Sequence, residues 1–184
     1  MSKIILASNS PRRKDLLERE GVDFIVDASS INEVMDETLE IEERLMKLAS
    51  EKAYPIHLKY PEDIVIGADT IVYHDHQIIG KARNENHARE ILNSLSQSTH
   101  RVYSAVAIYN KDELITFIDY TDVYFKDISL MIDGYIDSKD WIGKAGAYGI
   151  QSKADIFVDH IEGDIDTVIG LPVKRIIKMI EDMQ

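Results

Sequence analysis

The sequence predicts a single α/β domain built on a mixed sheet flanked by helices. Short apolar runs typical of buried strands alternate with amphipathic segments typical of helices along most of the chain. Two pairs of β-like segments also flank tight polar turns, at 110–112 and 162–164, and each pair predicts an antiparallel hairpin. Interleaved helices favour parallel strand pairs whereas hairpins require antiparallel ones, so the sheet should contain both.

The first elements are a strand at residues 4–6 and a helix at 11–20 that follows it directly. Ser10 suits the N-cap, Pro11 the first helical position and Gly21 the C-terminal stop. Further helices are predicted over 39–54, ended or kinked by Pro55; over 85–95; over 129–138, capped by Ser129; and from Pro172 onward. Further strands are predicted over 24–26, 64–73, 77–79, 102–109, 113–125, 156–158 and 167–169.

Length and composition bound the class of protein. The chain has 184 residues, 45% of them hydrophobic and none of them cysteine. We therefore expect one domain over residues 1–184 with a sizeable core, and a two-lobed form with the active-site cleft between the lobes stays open. The absence of cysteine excludes disulfides, thiolate zinc sites and cysteine nucleophiles, and it fits a cytoplasmic protein.

Charge and hydropathy limit the partners. The formal net charge of −12 disfavours nucleic acid as a partner, because such a field repels a phosphate backbone. A small phosphate ligand stays possible, since a local basic site and a divalent cation can bind it inside an acidic protein. The N-terminal residues do not resemble a signal peptide, and no apolar stretch approaches the ~20 residues that span a bilayer, so no membrane partner is expected.

The strongest candidate site is the segment Ser8-Asn9-Ser10-Pro11-Arg12-Arg13. Here a strand runs through a turn into a helix N-terminus, where unpaired backbone N–H groups favour an anion. Two arginines in the first turn oppose the helix dipole, and a bound polyanion would explain them. The alternative is a capped surface helix with two solvated arginines.

Several charged residues elsewhere suit a phosphate and metal site. Asp69 lies inside an apolar strand, where a carboxylate is costly unless it is paired or binds a metal; the alternative is an acid at a strand end. Lys52 and Lys81 could contact phosphates, although each alone would suit a solvated surface. Glu33, in an acidic loop, offers the oxygen ligand that Mg²⁺ or Mn²⁺ prefers. A glycine-containing loop at 144–151 suggests close approach of backbone to a ligand, with a simple turn as the alternative.

Known nucleotide-binding and catalytic motifs are missing. The six histidines show no metal-ligand spacing, and the sequence contains no G-x-x-x-x-G-K-[ST], no G-x-G-x-x-G and no G-x-S-x-G. The chain is therefore not a P-loop protein.

Taken together, six segments resemble the Maf family of nucleotide pyrophosphatases. They run in family order over nearly the whole chain: 6–13 (LASNSPRR), 51–53 (EKA), 66–72 (IGADTIV), 99–100 with 104–107 (TH, SAVA), 144–151 (KAGAYGIQ) and 168–172 (VIGLP). The resemblance implies a mixed α/β fold related to inosine-triphosphate pyrophosphatases, a homodimer and a divalent metal. It also implies cleavage of a nucleoside triphosphate between its α- and β-phosphates, giving the monophosphate and pyrophosphate.

The resemblance also assigns roles to single residues. It places Asp69 as the proton acceptor and Glu33 as a metal-associated acid. Ser8, Arg13, Lys52 and Lys81 match phosphate-contacting positions, and metal coordination by Asp69 together with Glu33 would compete with the use of Asp69 as a free base.

Three positions imply the choice of substrate. Arg12, Thr70 and Gln151 match the dTTP/UTP subgroup, whereas the 7-methyl-GTP subgroup has Trp, Gln and Glu there. Two positions depart from the usual pattern: Ala82 replaces a proline after Lys81, and Ser152 replaces a glycine after Gln151.

The leading hypothesis is a cytoplasmic, metal-dependent dTTP/UTP pyrophosphatase that cleans or balances the nucleotide pool. One alternative is the same reaction on a purine or modified nucleotide such as 7-methyl-GTP. The other is a nucleotide-binding regulator of cell division, because the family name is tied to inhibition of septum formation. Turnover separates a working enzyme from a regulator that only binds.

Overall fold

A computed structural model describes residues 2–28, 30–31 and 33–183, so the predicted domain over 1–184 includes four positions outside the described residues. The described strands are β1 (Ile4–Leu6), β2 (Phe24–Val26), β3 (Ile64–His74), β4 (Gln77–Ile79), β5 (Thr99–Asn110), β6 (Glu113–Phe125) and β7 (Val158–Glu162). The described α-helices are α1 (Pro11–Arg19), α2 (Ile41–Lys59), α3 (Glu85–Leu95), α4 (Ile132–Asp137), α5 (Ile165–Ile169) and α6 (Val173–Met183), and a short 3₁₀ turn covers Asp155–Phe157.

The predicted α/β class with a mixed sheet is confirmed. Seven strands form one sheet in the order β2-β1-β3-β5-β6-β7, and β4 pairs with β3 beside this path. β1 pairs in parallel with both β2 and β3, whereas β3 with β4 and β6 with β7 are antiparallel pairs. The first predicted hairpin is also confirmed, because β5 and β6 are neighbouring strands joined by a turn at Lys111 and Asp112.

Three local predictions are wrong. The second predicted hairpin is replaced by β7, which pairs with β6, and by helix α5. A short β-branched run does not distinguish strand from helix, and here Asp164 Oδ1 accepts the N–H of Asp166 at 3.0 Å and caps the helix. Helix α4 begins at Ile132 rather than near Ser129, whose N–H is instead bound by Asp127 Oδ1 at 3.0 Å.

Helix α2 also differs from its prediction, because it continues through Pro55 to Lys59. Proline removes one hydrogen bond from a helix interior. The following Ile56 is buried, and burial of that apolar side chain favours continuation of the helix.

The chain divides into two compact units, which we describe separately. Unit 1 comprises Met1–Thr70, Ser104–Asp119 and Gly170–Gln184. In it, parallel pairing of β1 with β3 packs Ile5, Ala7 and Val65 against Ala53 and Ile56 of α2. None of the helices in the described part of the chain is both long enough and apolar enough to cross a bilayer.

Unit 2 comprises Ile71–Tyr103 and Tyr120–Ile169 and has its own core. The inner face of α3 packs with residues of β6, α4 and the loop before the 3₁₀ turn. Within this core His100 is only 2% exposed, and its Nε2 lies 2.7 Å from the Tyr148 hydroxyl. Its Nδ1 has no hydrogen-bond partner among the described residues.

We expect His100 to make stability depend on pH. Burial lowers the pKa of His100 from 6.5 to about 3; the neighbouring His74 adds to this, and Asp122 opposes it. As the pH falls, His100 therefore binds a proton near pH 6.5 in the unfolded chain but stays neutral in the folded protein until about pH 3. The contribution of His100 to the free energy of unfolding is complete above pH 6.5 and is lost between pH 6.5 and pH 3. Between pH 7.5 and 5.0 the free energy of unfolding should drop by about 2 kcal/mol.

Urea denaturation at both pH values measures this drop. His100→Gln keeps a polar group opposite Tyr148 and should remove most of it. The control His76→Asn alters an exposed histidine at φ 61°, a backbone conformation that asparagine tolerates, and should retain the drop. An unchanged pH dependence in His100→Gln would contradict the assignment.

Candidate active site

Parallel pairing in unit 1 places two predicted site residues just past the last residue pair of β1 and β3. β1 and β3 run side by side with Leu6 opposite Ile66, and the Ala7 N–H donates to the Ile66 carbonyl at 2.8 Å. Because the two strands run in the same direction, Ser8 and Asp69 both come shortly after this pair of residues. The region beyond the carboxyl ends of parallel strands is where ligands bind in α/β sheets.

A glycine in β3 lets α2 approach the strand closely. A Cβ placed on Gly67 would lie 2.5 Å from the Ala49 carbonyl oxygen and 2.7 Å from the Ala53 Cβ, so only glycine fits between strand and helix. Ala49 and Ala53 are four residues apart and thus share a helix face. Lys52 precedes Ala53 in α2, and Asp69 follows Gly67 by two residues in β3. The close packing of helix and strand therefore brings the side chains of Lys52 and Asp69 together.

Lys52 joins the two predicted acids. Its Nζ donates to Asp69 Oδ1 at 2.5 Å and lies 3.0 Å from Glu33 Oε1. The side chain of Asp69 is 10% exposed and that of Lys52 is 16% exposed, whereas that of Glu33 is 57% exposed. Asp69 is thus the buried member of the pair and Glu33 the member that solvent or a ligand can reach.

Arg13, at the start of α1, is held by three acceptors. Its Nε donates to the Gly170 carbonyl at 2.9 Å, one terminal nitrogen to Ser8 Oγ at 3.0 Å and the other to Thr70 Oγ1 at 3.1 Å. Burial lowers the pKa of Arg13, although the nearby charge of Asp69 opposes this. These neutral partners explain an arginine in the first helical turn without a bound anion. Ser10 occupies the N-cap, but within the described residues its side chain makes no capping bond.

The charges of the site nearly cancel. Arg13 lies close enough to Arg12, Asp69 and Glu33 to feel their charges, and Lys52 bonds both acids. These three cations and two carboxylates leave the unit 1 residues of the site with one positive charge. A polyanion bound here would need further compensation.

The remaining two predicted residues, Lys81 and Gln151, belong to unit 2 and are both exposed. Lys81 forms an antiparallel bridge with Ala145, and the Gly146 N–H donates to the Gly80 carbonyl at 3.1 Å. The segment that carries Lys81 is therefore bonded to the 144–151 loop, at whose end Gln151 lies.

The unusual Ser152 closes this loop. Its hydroxyl donates to the Gly149 carbonyl at 2.8 Å and accepts from Lys144 Nζ at 3.1 Å, and Lys144 also pairs with Asp140 at 2.8 Å. A glycine at this position could make none of these side-chain bonds. The departure from the family pattern thus ties the two ends of the predicted recognition loop together.

Comparison with known proteins shows the family of this chain. Residues 3–183 match the family described as Maf-like protein. The chain belongs to the Maf family. Named relatives are the dTTP/UTP pyrophosphatase of Bacillus cereus, 46% identical over 97% of this chain and 94% of that protein, and the dTTP/UTP pyrophosphatase of Bacillus anthracis, 45% identical with the same coverage. A solved structure of a HAM1 protein from Coxiella burnetii covers 68% of this chain and 73% of its own at 13% identity, with a TM-score of 0.41.

The carboxylates of this Maf protein suit one mode of metal binding. No group of three or more His, Asp or Glu side chains that could enclose a metal occurs within residues 2–28, 30–31 and 33–183. Mg²⁺ commonly keeps several waters and uses one or two protein carboxylates together with substrate phosphates. Asp69 and Glu33, both bound to Lys52 Nζ, fit that open mode better than a closed protein cage.

Sequence reasoning missed two polar groups of the site in this Maf protein. Ser104 Oγ lies 2.8 Å from Thr70 Oγ1, and the Gly170 carbonyl accepts from Arg13 and, at 3.3 Å, from Thr70. Both residues lie in segments that carry the family resemblance, but neither had an assigned role. A serine inside an apolar strand and a glycine before Leu171-Pro172 were the available signals.

Proposed function

We propose that this Maf protein is a metal-dependent pyrophosphatase that hydrolyses dTTP and UTP. Water is consumed, the bond between the α-phosphate and the β-phosphate breaks, and the products are the nucleoside monophosphate and pyrophosphate. The observation that carries the proposal is the largely buried Lys52–Asp69 pair, which lies near Arg13 and just past the carboxyl end of β1. The names of the Bacillus relatives support the substrate.

In this proposal the site residues bind the phosphates, accept a proton or select the base. Ser8, Arg13, Lys52 and Lys81 bind the phosphates, for which cationic donors are suited. Asp69 accepts a proton from the attacking water, and Lys52 orients its carboxylate through the bond to Oδ1. Arg12 and Gln151 govern the choice of base, and Thr70 is the third position that the family resemblance links to substrate preference. Phosphoryl hydrolysis depends mainly on such positioning and charge neutralisation.

Glu33 would hold a divalent metal ion, Mg²⁺ or Mn²⁺, and Asp69 would hold it through the carboxylate oxygen that does not take up the proton. When bound, such an ion neutralises phosphate charge and lowers the pKa of coordinated water. The cytoplasm, where the nucleotide pool is found, is the proposed location, for which the absence of cysteine is the support. A homodimer is the proposed assembly, and it follows from the family resemblance.

A panel of triphosphates tests the function. Purified protein with Mg²⁺ or Mn²⁺ is given dTTP, UTP, CTP, GTP and 7-methyl-GTP, and both products are identified. We expect monophosphate and pyrophosphate, fastest from dTTP and UTP. Fastest turnover of GTP or 7-methyl-GTP would overturn the substrate, and binding without turnover would favour a regulator.

Gln151 supplies a prediction about the choice of base. Its amide can donate and accept at once, which matches the adjacent N–H and carbonyl of uracil or thymine; a glutamate would only accept. Gln151 is exposed, and a base covering it would exclude water from the mismatched group. We expect Gln151→Glu to lower kcat/KM for dTTP and UTP by a factor that corresponds to about 1–3 kcal/mol of transition-state stabilisation.

The same panel of triphosphates measures this change. Loss should be confined to substrates with a pyrimidine N–H beside a carbonyl, and guanine nucleotides should gain relative to them. Lys153→Gln, at an exposed residue two positions after Gln151, is the matched control and should keep the parent profile. An unaltered profile in Gln151→Glu would remove Gln151 from base recognition.

A further inference from the structure

The hydroxyl of Thr70 is engaged by three groups of the protein. A hydroxyl offers one donor and two acceptor positions. Thr70 Oγ1 accepts from Arg13 at 3.1 Å, lies 2.8 Å from Ser104 Oγ and lies 3.3 Å from the Gly170 carbonyl. These three contacts match that capacity. The position associated with substrate choice therefore directs its polar group toward the protein.

The guanidinium of Arg13, by contrast, has N–H groups left for a ligand. A guanidinium carries five N–H donors, and three of these bond Gly170, Ser8 and Thr70. Up to two N–H groups of the fixed fork remain for a phosphate. Because the fork is rigid and planar, the three protein acceptors determine where those remaining groups lie.

The acceptors themselves are held in place. Ser104 is fully buried in β5, and Thr70 is half-buried in β3. Gly170 has φ +131°, a conformation that side-chain-bearing residues rarely adopt, and its carbonyl accepts from both Arg13 and Thr70. Thr70, Ser104 and the Gly170 carbonyl thus form a frame around Arg13, which we call the Arg13 frame.

We propose that Thr70 is a positioning residue that acts on the substrate through Arg13, with Ser104 and the Gly170 carbonyl completing the Arg13 frame. This inference rests on the proposed function, in which Arg13 binds the phosphates. Thr70 then affects binding of the triphosphate part, which every nucleotide shares. Its effect on different bases should be uniform.

Thr70→Val removes the hydroxyl at nearly constant shape. It separates a positioning role through Arg13 from recognition of the base. Loss of a hydrogen bond to a charged group predicts a fall in kcat/KM of about 10- to 100-fold. We expect the same factor for UTP, dTTP, CTP and GTP, and the same rise in the inhibition constant of inorganic tripolyphosphate. Thr70→Ser, which keeps the hydroxyl, should recover most of the loss. Thr116→Val, at an exposed threonine of β6, is the matched control and should behave as the parent.

Ser104→Ala gives a second test that does not depend on the folding of Thr70→Val. Because Ser104 bonds Thr70, which in turn bonds Arg13, Ser104→Ala should cost less than Thr70→Val, and the double variant should cost no more than Thr70→Val alone. Additive losses would overturn the frame. A change in the ratio between bases with an unaltered tripolyphosphate constant would also overturn it, since Thr70 would then read the base.

Failure of the proposed function is distinguishable from failure of this inference. If the parent protein hydrolyses no triphosphate, calorimetric binding of tripolyphosphate to the parent and to Thr70→Val still applies. Weaker binding by the variant supports the Arg13 frame. Equal binding overturns it.

Discussion

Replacing Asp69 with asparagine should slow hydrolysis of dTTP and UTP by roughly 10²–10⁴-fold, the range for loss of a general base. Asparagine keeps the shape of the side chain but cannot take up a proton. Asp69 is 7% exposed and bonded to Lys52 Nζ, so the group is both sheltered and oriented. Kinetics of pyrophosphate release give the rate.

The fold should survive this change. Lys52 retains Glu33 at 3.0 Å, so removal of the Asp69 charge does not leave a lone buried cation. Circular dichroism and thermal unfolding check this point. Asp112→Asn, in the exposed turn between β5 and β6, is the matched control and should retain full activity. Near-normal turnover by a folded Asp69→Asn protein would remove Asp69 from the mechanism.

Removal of divalent metal should abolish activity, and Mg²⁺ or Mn²⁺ should restore it. The unit 1 residues of the site carry only one net positive charge, since Arg12, Arg13 and Lys52 are opposed by Asp69 and Glu33, and a triphosphate carries several negative charges. Without an ion, the phosphates would lie next to carboxylates that repel them. Pyrophosphate release is measured in EDTA and then during titration with each metal.

Two controls accompany the metal experiment. EDTA saturated beforehand with Mg²⁺ should not inhibit, which separates chelation from direct inhibition. Glu33→Gln should raise the metal concentration needed for half-maximal activity, because it removes one oxygen anion while Lys52 keeps its bond to Asp69. Full turnover in metal-free buffer would contradict the role of these carboxylates.

Much of the fold could be predicted because local patterns and tertiary packing favour the same structure. The strand at 4–6, the helix from Pro11, the helix over 85–95 and the first hairpin are at their predicted places. Prediction failed where local preference and packing disagree. Pro55 should end a helix, but buried Ile56 follows it, and a β-branched run at 167–169 is helical because Asp164 caps it.

Sequence alone determined the fold class, the family and the set of charged residues that make this chain a candidate pyrophosphatase. Tertiary structure alone decided which of those charges pair. Only close packing at Gly67 shows that Lys52 bonds Asp69. Only the meeting of β3, β5 and the segment before α6 shows that Thr70 and the Gly170 carbonyl bond Arg13 and that Ser104 bonds Thr70. The physical reason is distance along the chain: Arg13, Thr70 and Gly170 are separated by 57 and 100 residues, and no local pattern encodes contacts between them.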